Sequence, residues 1–323
     1  MTKAIALLSG GLDSILAIKI ILEQNIEVEA INFITTFFKS NSYSIVLKLG
    51  IKLKVFDVSK EYLDIVKTPK YGYGSNMNPC IDCKIFMLKK AYQYLKETGA
   101  QFLITGEVLG ERPMSQTKRA LEIIEKESKL EGLILRPLSA KLLKPTIPEK
   151  TGLVDRNKLF DIKGRSRKVQ IALASKFNIK DYPNPSGGCL LTDPGFSRRM
   201  KDLIKHNQNF SLDEVELLKF GRHFRLSPFA KLIVGRDKTE NDNLLKFLRE
   251  DDFCFMPSNT KGPIAIGRGI FSESQIDLAV SIVARYSDKC NDNIKISYCR
   301  VPEDYITITA NPIDEKLIEN LRI

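Results

Sequence analysis

The stretch Ser9-Gly10-Gly11-Leu12-Asp13-Ser14 decides how the first half of the chain is read. It follows a short apolar run, Ala4 to Leu8, and opens an apolar, helix-like run from Ile15 to Leu22. A strand, a glycine turn and a helix start, in that order, build an anion site. The glycines let the backbone turn tightly and approach a phosphate. The first free N–H groups of the helix then point at the anion, helped by the helix dipole. Ser9 and Ser14 add hydroxyl donors. Asp13 is the odd member, because a carboxylate beside a phosphate needs a cation between them; it reads as a helix cap, a Mg²⁺ ligand, or both.

The stretch lacks the Gly-Lys-Ser/Thr ending of a Walker loop and the Gly-x-Gly-x-x-Gly of a dinucleotide site. All six positions resemble the SGGxDS loop of the PP-loop ATP pyrophosphatases. That resemblance implies ATP use, with Ser9, Gly10, Gly11, Asp13 and Ser14 around the phosphates, and adenylation of a substrate oxygen. It leaves the substrate open, since amide-forming ligases and tRNA-modifying enzymes share the loop.

Outward from the loop, strand-like and helix-like runs alternate. Strands are expected at 3–8, 28–33, 53–58 and 102–105, and helices at 14–24, 43–49 and 84–98. This alternation predicts an α/β fold with a parallel sheet covered by helices on both faces. Ligands of such sheets lie outside the carboxyl ends of the strands. Phe33 and the Thr105-Gly106-Glu107 turn fall there with the loop, so Phe33 and Gly106 join the expected ATP-binding set. Helices are also expected at 169–177, 195–206 and 211–219. From about Phe220 the texture changes to strands mixed with helices. The expected organisation is a catalytic domain over 1–205, a linker helix over 206–220 and a separate α+β domain over 221–323.

The chain has 323 residues, of which 43% are apolar and 28% charged, enough for two soluble domains. No apolar run approaches the ~20 residues needed to cross a bilayer. No signal-peptide pattern precedes the first strand, so a cytoplasmic protein without membrane association is expected. A net charge of +11 fits a polyanionic partner such as RNA. With only two histidines, His206 and His223, a His-rich metal site and a Ser-His-Asp triad are disfavoured.

Six cysteines are present. In a cytosolic protein they point to catalysis or metal binding more than to disulfides. Cys80 and Cys83 form a Cys-x-x-Cys in Asn78-Pro79-Cys80-Ile81-Asp82-Cys83, at a helix start, where the dipole favours thiolate. Cys189 sits in Ser186-Gly187-Gly188-Cys189-Leu190, a tight turn. Cys254, Cys290 and Cys299 read as core or surface thiols. Beside a PP-loop, this constellation resembles the tRNA 2-thiouridylases, whose Asn-Pro-Asp-x-x-Cys and downstream Gly-x-Cys segments carry the catalytic cysteines. Cys83 and Cys189 fall on those positions, and Thr105-Gly106 matches a Thr-Gly-His turn with Glu107 in place of histidine. Cys80 stands where that family has Asp. Three cysteines also resemble the iron–sulfur-dependent tRNA thiolases, which implies a [4Fe–4S] cluster on Cys80, Cys83 and Cys189 with one iron free to take sulfide. Persulfide relay on Cys83 and Cys189 stays open beside it.

In the last third, Gly221-Arg222 and Gly235-Arg236, followed by Glu240-Asn241, resemble the RNA-binding domain of the NFACT proteins. Arg222, Arg225, Lys231 and Arg236 are then expected RNA contacts, since cations and aromatic rings grip phosphates and unpaired bases. The composite expectation is an ATP- and Mg²⁺-dependent tRNA sulfurtransferase. Its partners would be tRNA and a sulfur donor, either sulfide or a persulfide carrier. Candidate cations offsetting phosphate charge are Arg112, Lys141 and Arg167. The rivals are another adenylating PP-loop enzyme and a non-catalytic RNA-binding protein.

Overall fold

The computed structural model describes residues 2–38, 42–182, 188–288 and 294–323. The chain divides into two compact units, Met1–Thr192 and Asp193–Ile323. Cys290 and the Ser186-Gly187 part of the Cys189 turn lie outside the described residues.

The first unit runs β1 (Lys3–Leu7), α1 (Leu12–Leu22), β2 (Glu27–Ile34), α2 (Tyr43–Leu49), β3 (Lys52–Asp57), α3 (Ser59–Lys67), α4 (Cys80–Thr98), β4 (Phe102–Ile104), α5 (Lys118–Ser128), β5 (Ile134–Leu135), α6 (Ile147–Lys150) and α7 (Lys168–Lys176). The strands form one parallel sheet in the order β3-β2-β1-β4-β5. Successive side chains of a strand point to opposite faces, and each face has its own core. Ala4, Ala6, Val28, Ala30 and Phe102 pack with α1 and α7. Ile5, Ile31, Leu103 and Ile134 pack on the other face with Leu88, Ala91 and Leu95 of α4 and Ile124 of α5. Helix α1 is apolar nearly all round and is correspondingly buried. The expected α/β fold with helices on both faces is what the chain adopts.

The strand order reverses direction at β1, with β2 on one side and β4 on the other. The crevice outside the carboxyl ends of β1 and β4 is therefore the topological place for a ligand. The Ser9–Ser14 loop follows β1, and Gly106 follows β4.

The second unit runs α8 (Pro194–His206), α9 (Leu212–Leu217), β6 (Arg222–Ser227), β7 (Ala230–Val234), α10 (Lys238–Lys246), β8 (Phe253–Pro257), β9 (Ala265–Gly269), α11 (Glu273–Arg285), β10 (Ile294–Arg300), β11 (Ile306–Ala310) and α12 (Glu315–Leu321). Its antiparallel sheet has the order β11-β10-β8-β9-β7-β6. Phe224, Leu232, Val234, Phe255 and Ile296 pack with Ala279, Val280 and Val283 of α11. Ile233 and Ile266 pack with Leu217 of α9 and Leu244 of α10. The unit starts earlier than the expected boundary because α8 serves this sheet. Asp202 of α8 pairs with Arg225 of β6 and Lys231 of β7. Among the described residues no helix is long and apolar enough to cross a membrane.

Candidate functional site

The loop is folded onto itself. Gly10 takes φ +81°, in the left-handed region where glycine is favoured. Ser14 Oγ donates to the Gly11 carbonyl at 2.7 Å, and Ser9 Oγ donates to Ser14 Oγ at 3.3 Å. The end of β1 is pinned to β2, with Leu8 N–H on the Ile31 carbonyl at 2.8 Å and Asn32 Nδ2 on the Leu8 carbonyl at 2.7 Å. Gly106 presses against the helix start: a Cβ there would stand 2.4 Å from Ser14 N and 2.5 Å from the Asp13 carbonyl carbon. Those neighbours are backbone and cannot swing away, so position 106 admits no side chain. Phe33 departs from expectation. Its ring is 6% exposed and stacks on Phe56 of β3 at 5.7 Å, so the side chain serves the core.

Asp13 has its Oδ1 buried without a hydrogen-bond partner. Burial pushes its carboxyl pKa up, against the pull of Arg167, the Gln170 amide and Arg112. Of the three expected cations, Arg112 and Arg167 thus act electrostatically on the loop carboxylate. Lys141 instead donates to the Asn157 carbonyl at 2.9 Å.

The cysteines come together by visible stitching. Cys80 and Cys83 occupy the first turn of α4, with Cys83 N–H on the Pro79 carbonyl at 2.8 Å. The Cys189 segment is tied to the loop before that helix and to Phe37, just beyond β2. Met77 N–H donates to the Leu191 carbonyl at 3.1 Å, Asn76 Nδ2 to the Thr192 carbonyl at 2.7 Å, and Leu190 N–H to the Phe37 carbonyl at 2.9 Å. The three thiols are near enough to perturb one another electrostatically. Arg112 connects the two halves of the site, since it acts on Asp13, on Cys80 and on Cys189.

The helix start does not make these thiols acidic. Burial raises Cys80, pushes Cys83 up to about 11 and Cys189 up to about 12, outweighing Lys84 and Arg112. As free thiols all three are protonated at neutral pH and weak nucleophiles. Among the described residues no three Cys, His, Asp or Glu side chains are arranged to hold a single metal ion. Asp82, the nearest carboxylate in sequence, is already committed to the Lys70 and Tyr71 backbone N–H groups at 3.0 Å each.

Sequence reasoning missed two features here. Tyr62 of α3 is fully buried, with its ring 5.8 Å from Phe37, 5.6 Å from Phe38 and 6.2 Å from Phe86. Its hydroxyl lies beside Cys83 without a well-aligned hydrogen-bond partner. Glu107 is buried and accepts from Thr105 Oγ1 at 3.1 Å and Arg136 Nε at 3.0 Å, with Lys84 Nζ at 3.5 Å. Burial pushes its carboxyl up, but Lys84 and Arg136 outweigh that and the net shift is downward. Glu107 therefore anchors the root of α4, next to the cysteines. Tyr62 carries no local pattern that could have marked it; Glu107 was visible as the last residue of the Thr105-Gly106-Glu107 turn, but its anchoring of Lys84 and Arg136 depends on tertiary placement.

In the second unit the expected RNA contacts are committed to internal partners. Arg225 forks onto both oxygens of Asp202. Lys231 is 8% exposed, 3.7 Å from Asp202, and burial lowers its pKa to about 8. Arg236 pairs with Glu240, which also accepts from the Gly221 N–H at 3.1 Å. Arg222 donates to the Gly235 carbonyl at 3.3 Å and lies 4.5 Å over the Tyr286 ring. Asn241 accepts from Ile264 N–H at 3.0 Å, and a Cβ on Gly235 would meet its Oδ1 at 2.1 Å. The glycine-arginine and glutamate-asparagine pairs therefore define the fold of this unit. Phe224 is core, while Phe229 is exposed. Arg225→Ala should destabilise the second unit by about 3 kcal/mol, the lower end for a broken buried pair because Lys231 still faces Asp202. Denaturant melts followed within that unit check this, and an unchanged midpoint would show the pair to be dispensable.

Comparisons with known proteins follow this division. A curated relative, a probable tRNA sulfurtransferase of Thermococcus kodakarensis, is 30% identical over 145 residues. The match covers 42% of this chain and 36% of that protein, so the chain spans about a third of the relative's length. Among solved structures, a 4-thiouridine synthetase–RNA complex with bound ATP aligns at 21% identity, covering 67% of this chain and 52% of that one, with a TM-score of 0.39. The C-terminal part of a fibronectin/fibrinogen-binding protein from Streptococcus suis aligns at 13% identity, covering 76% of this chain and 100% of that one, with a TM-score of 0.29. Residues 1–147 match the family model of the thiamine biosynthesis protein (ThiI), and residues 221–322 that of the NFACT protein RNA binding domain. The chain thus joins a domain similar to the ThiI family to one similar to the NFACT RNA-binding domain.

Proposed function

We propose that the chain is an ATP-dependent tRNA sulfurtransferase. The observation that carries this reading is that hydrogen bonds from Asn76 and Met77 to Thr192 and Leu191 bring the Cys189 segment onto the loop that leads into Cys80 and Cys83, in the same unit as the Ser9–Ser14 loop. Arg112 acts electrostatically on both Asp13 and the thiols of Cys80 and Cys189. The similarity of residues 1–147 to the ThiI family and of 221–322 to an RNA-binding domain supports the same reading.

In this reading the loop N–H groups, Ser9 and Ser14 hold the ATP phosphates. A uridine carbonyl oxygen of tRNA attacks the α-phosphorus, the bond to the β-phosphate oxygen breaks, and pyrophosphate leaves. The base is then joined to AMP through its former carbonyl oxygen. Sulfur from a sulfide-level donor forms a bond to that ring carbon, the carbon–oxygen bond breaks, and AMP departs with the oxygen. Arg112 and Arg167 stabilise charge that grows on the phosphates during attack.

Two absent groups fit the residues present. Asp13, with its unpartnered Oδ1, is the candidate Mg²⁺ ligand; the ion would neutralise phosphate charge. Cys80, Cys83 and Cys189 would hold a [4Fe–4S] cluster, whose ligands are normally thiolates. When bound, such a cluster would offer sulfide an iron not ligated by protein. Two cysteines suffice for a persulfide relay, which leaves Cys80 without a task.

The cellular test is the thiouridine content of tRNA. Cells lacking the chain should lose one thiolated uridine from digested tRNA and regain it with the wild-type chain. An unchanged set of thiolated nucleosides would overturn the reading.

A further inference from the structure

Beyond the loop itself, unpartnered buried polar atoms gather at one place in the first unit. Gln170 of α7 is 0% exposed; its Nε2 reaches the Asp13 carboxyl without a well-aligned hydrogen bond, and its Oε1 has no hydrogen-bond partner. Its amide faces the Asp13 carboxyl, whose Oδ1 is likewise buried and unpartnered. Arg167, one residue before α7, also faces Asp13 and leaves its Nε buried without a partner. Around them, Leu173 and Ala174 of α7 pack in the same apolar cluster as Leu12, Ile15 and Leu16 of α1.

A buried amide whose polar atoms are not fully satisfied costs stability. An apolar residue of the same size would pack there at no such cost. In native chains such groups mark strain, a catalytic role, or a place completed by water or an ion. Here the missing partner must satisfy a carboxylate oxygen and leave work for an amide acceptor beside it. Hard oxygen donors of this kind suit a divalent cation with its bound water, held against phosphate.

We propose that Gln170 is a binding residue of the cation–nucleotide site, with its amide nitrogen steadying Asp13 and its Oε1 accepting from or ligating the hydrated divalent cation that accompanies ATP. The inference rests on the ATP-site part of the function proposed above and is independent of tRNA and sulfur. Arg167, at the N-cap of α7, and Gln170, in its first turn, then both act on Asp13 from one helix start.

The test uses the full chain with Mn²⁺ as probe and α,β-methylene-ATP as nucleotide, read by electron paramagnetic resonance of free Mn²⁺. Gln170→Leu removes both polar atoms and preserves volume. It should melt at the same or a higher temperature than wild type without ligand, and bind Mn²⁺–nucleotide about tenfold more weakly. Gln170→Glu keeps an acceptor at the same place and should retain Mn²⁺ binding. Unchanged Mn²⁺–nucleotide affinity in the leucine variant would overturn the proposal, as would equal loss in both variants. Wild-type protein that binds no Mn²⁺–nucleotide would overturn it too. A Gln170-dependent Mn²⁺ site in a protein that never thiolates tRNA would instead count against the proposed function and leave this inference standing.

Discussion

Asp13→Ala and Ser14→Ala should each lower ATP–pyrophosphate exchange by roughly a hundredfold or more, the scale of losing a preorganised charge or donor at a phosphoryl centre. The two act differently. Ser14 is 5% exposed, and its hydroxyl closes the loop by donating to the Gly11 carbonyl at 2.7 Å. Its removal frees Gly11 and Ser9 from their fixed geometry, so phosphate N–H donors lose alignment. Asp13 contributes charge, with Arg112 and Arg167 set against it. Removing that carboxylate takes away the negative charge on which both arginines act. Both variants keep the apolar residues that bury α1, so their melting temperatures should stay within a few degrees of wild type. Near-normal pyrophosphate release in both variants, with the fold intact, would remove the loop from the chemistry.

Cys80→Ala, Cys83→Ala and Cys189→Ala should each abolish tRNA thiolation. If the three thiols act as one ligand set, each variant should also lose iron. Protein purified without oxygen should be brown and carry about four irons per chain, the content of one cluster. Adenylation should survive in all three, since none of the cysteines lies in the loop. Colourless, iron-free anaerobic protein that still thiolates would decide for persulfide relay. In that case Cys80→Ala should remain active while Cys83→Ala and Cys189→Ala fail.

The first sheet and its loop were legible because both signals are local. An apolar strand, two glycines and an apolar helix fix β1, the loop and α1 whatever packs around them. Helix α2 was placed at its observed bounds for the same reason. Helices α3 and α5 escaped notice: their buried faces are short, and charged residues surround them. The two-residue β5 is a strand only because β4 pairs with it. The expected boundary leaves most of α8 with the first domain because α8 carries no composition shift; its contacts with the second sheet depend on Asp202 meeting Arg225 and Lys231. The acidic partners of the basic residues in that unit, Asp202 and Glu240, could not be read beside them in sequence. The cysteines were legible as types, but their acidity was misjudged. A helix start favours thiolate, whereas burial, invisible in sequence, outweighs it.

The central claim is that one chain couples ATP cleavage between the α- and β-phosphates to sulfur insertion into tRNA. Its most direct test is a single reconstituted reaction under anaerobic conditions with purified protein, unmodified tRNA, ATP, Mg²⁺ and sulfide. The products to be counted together are AMP, pyrophosphate and thiouridine in nuclease-digested tRNA. The account predicts AMP and thiouridine in equal amounts, both dependent on tRNA and on sulfide, with oxygen from the uridine carbonyl found in AMP when that position is isotopically labelled. Formation of thiouridine without AMP, or of AMP carrying no oxygen from the labelled uridine, would contradict it.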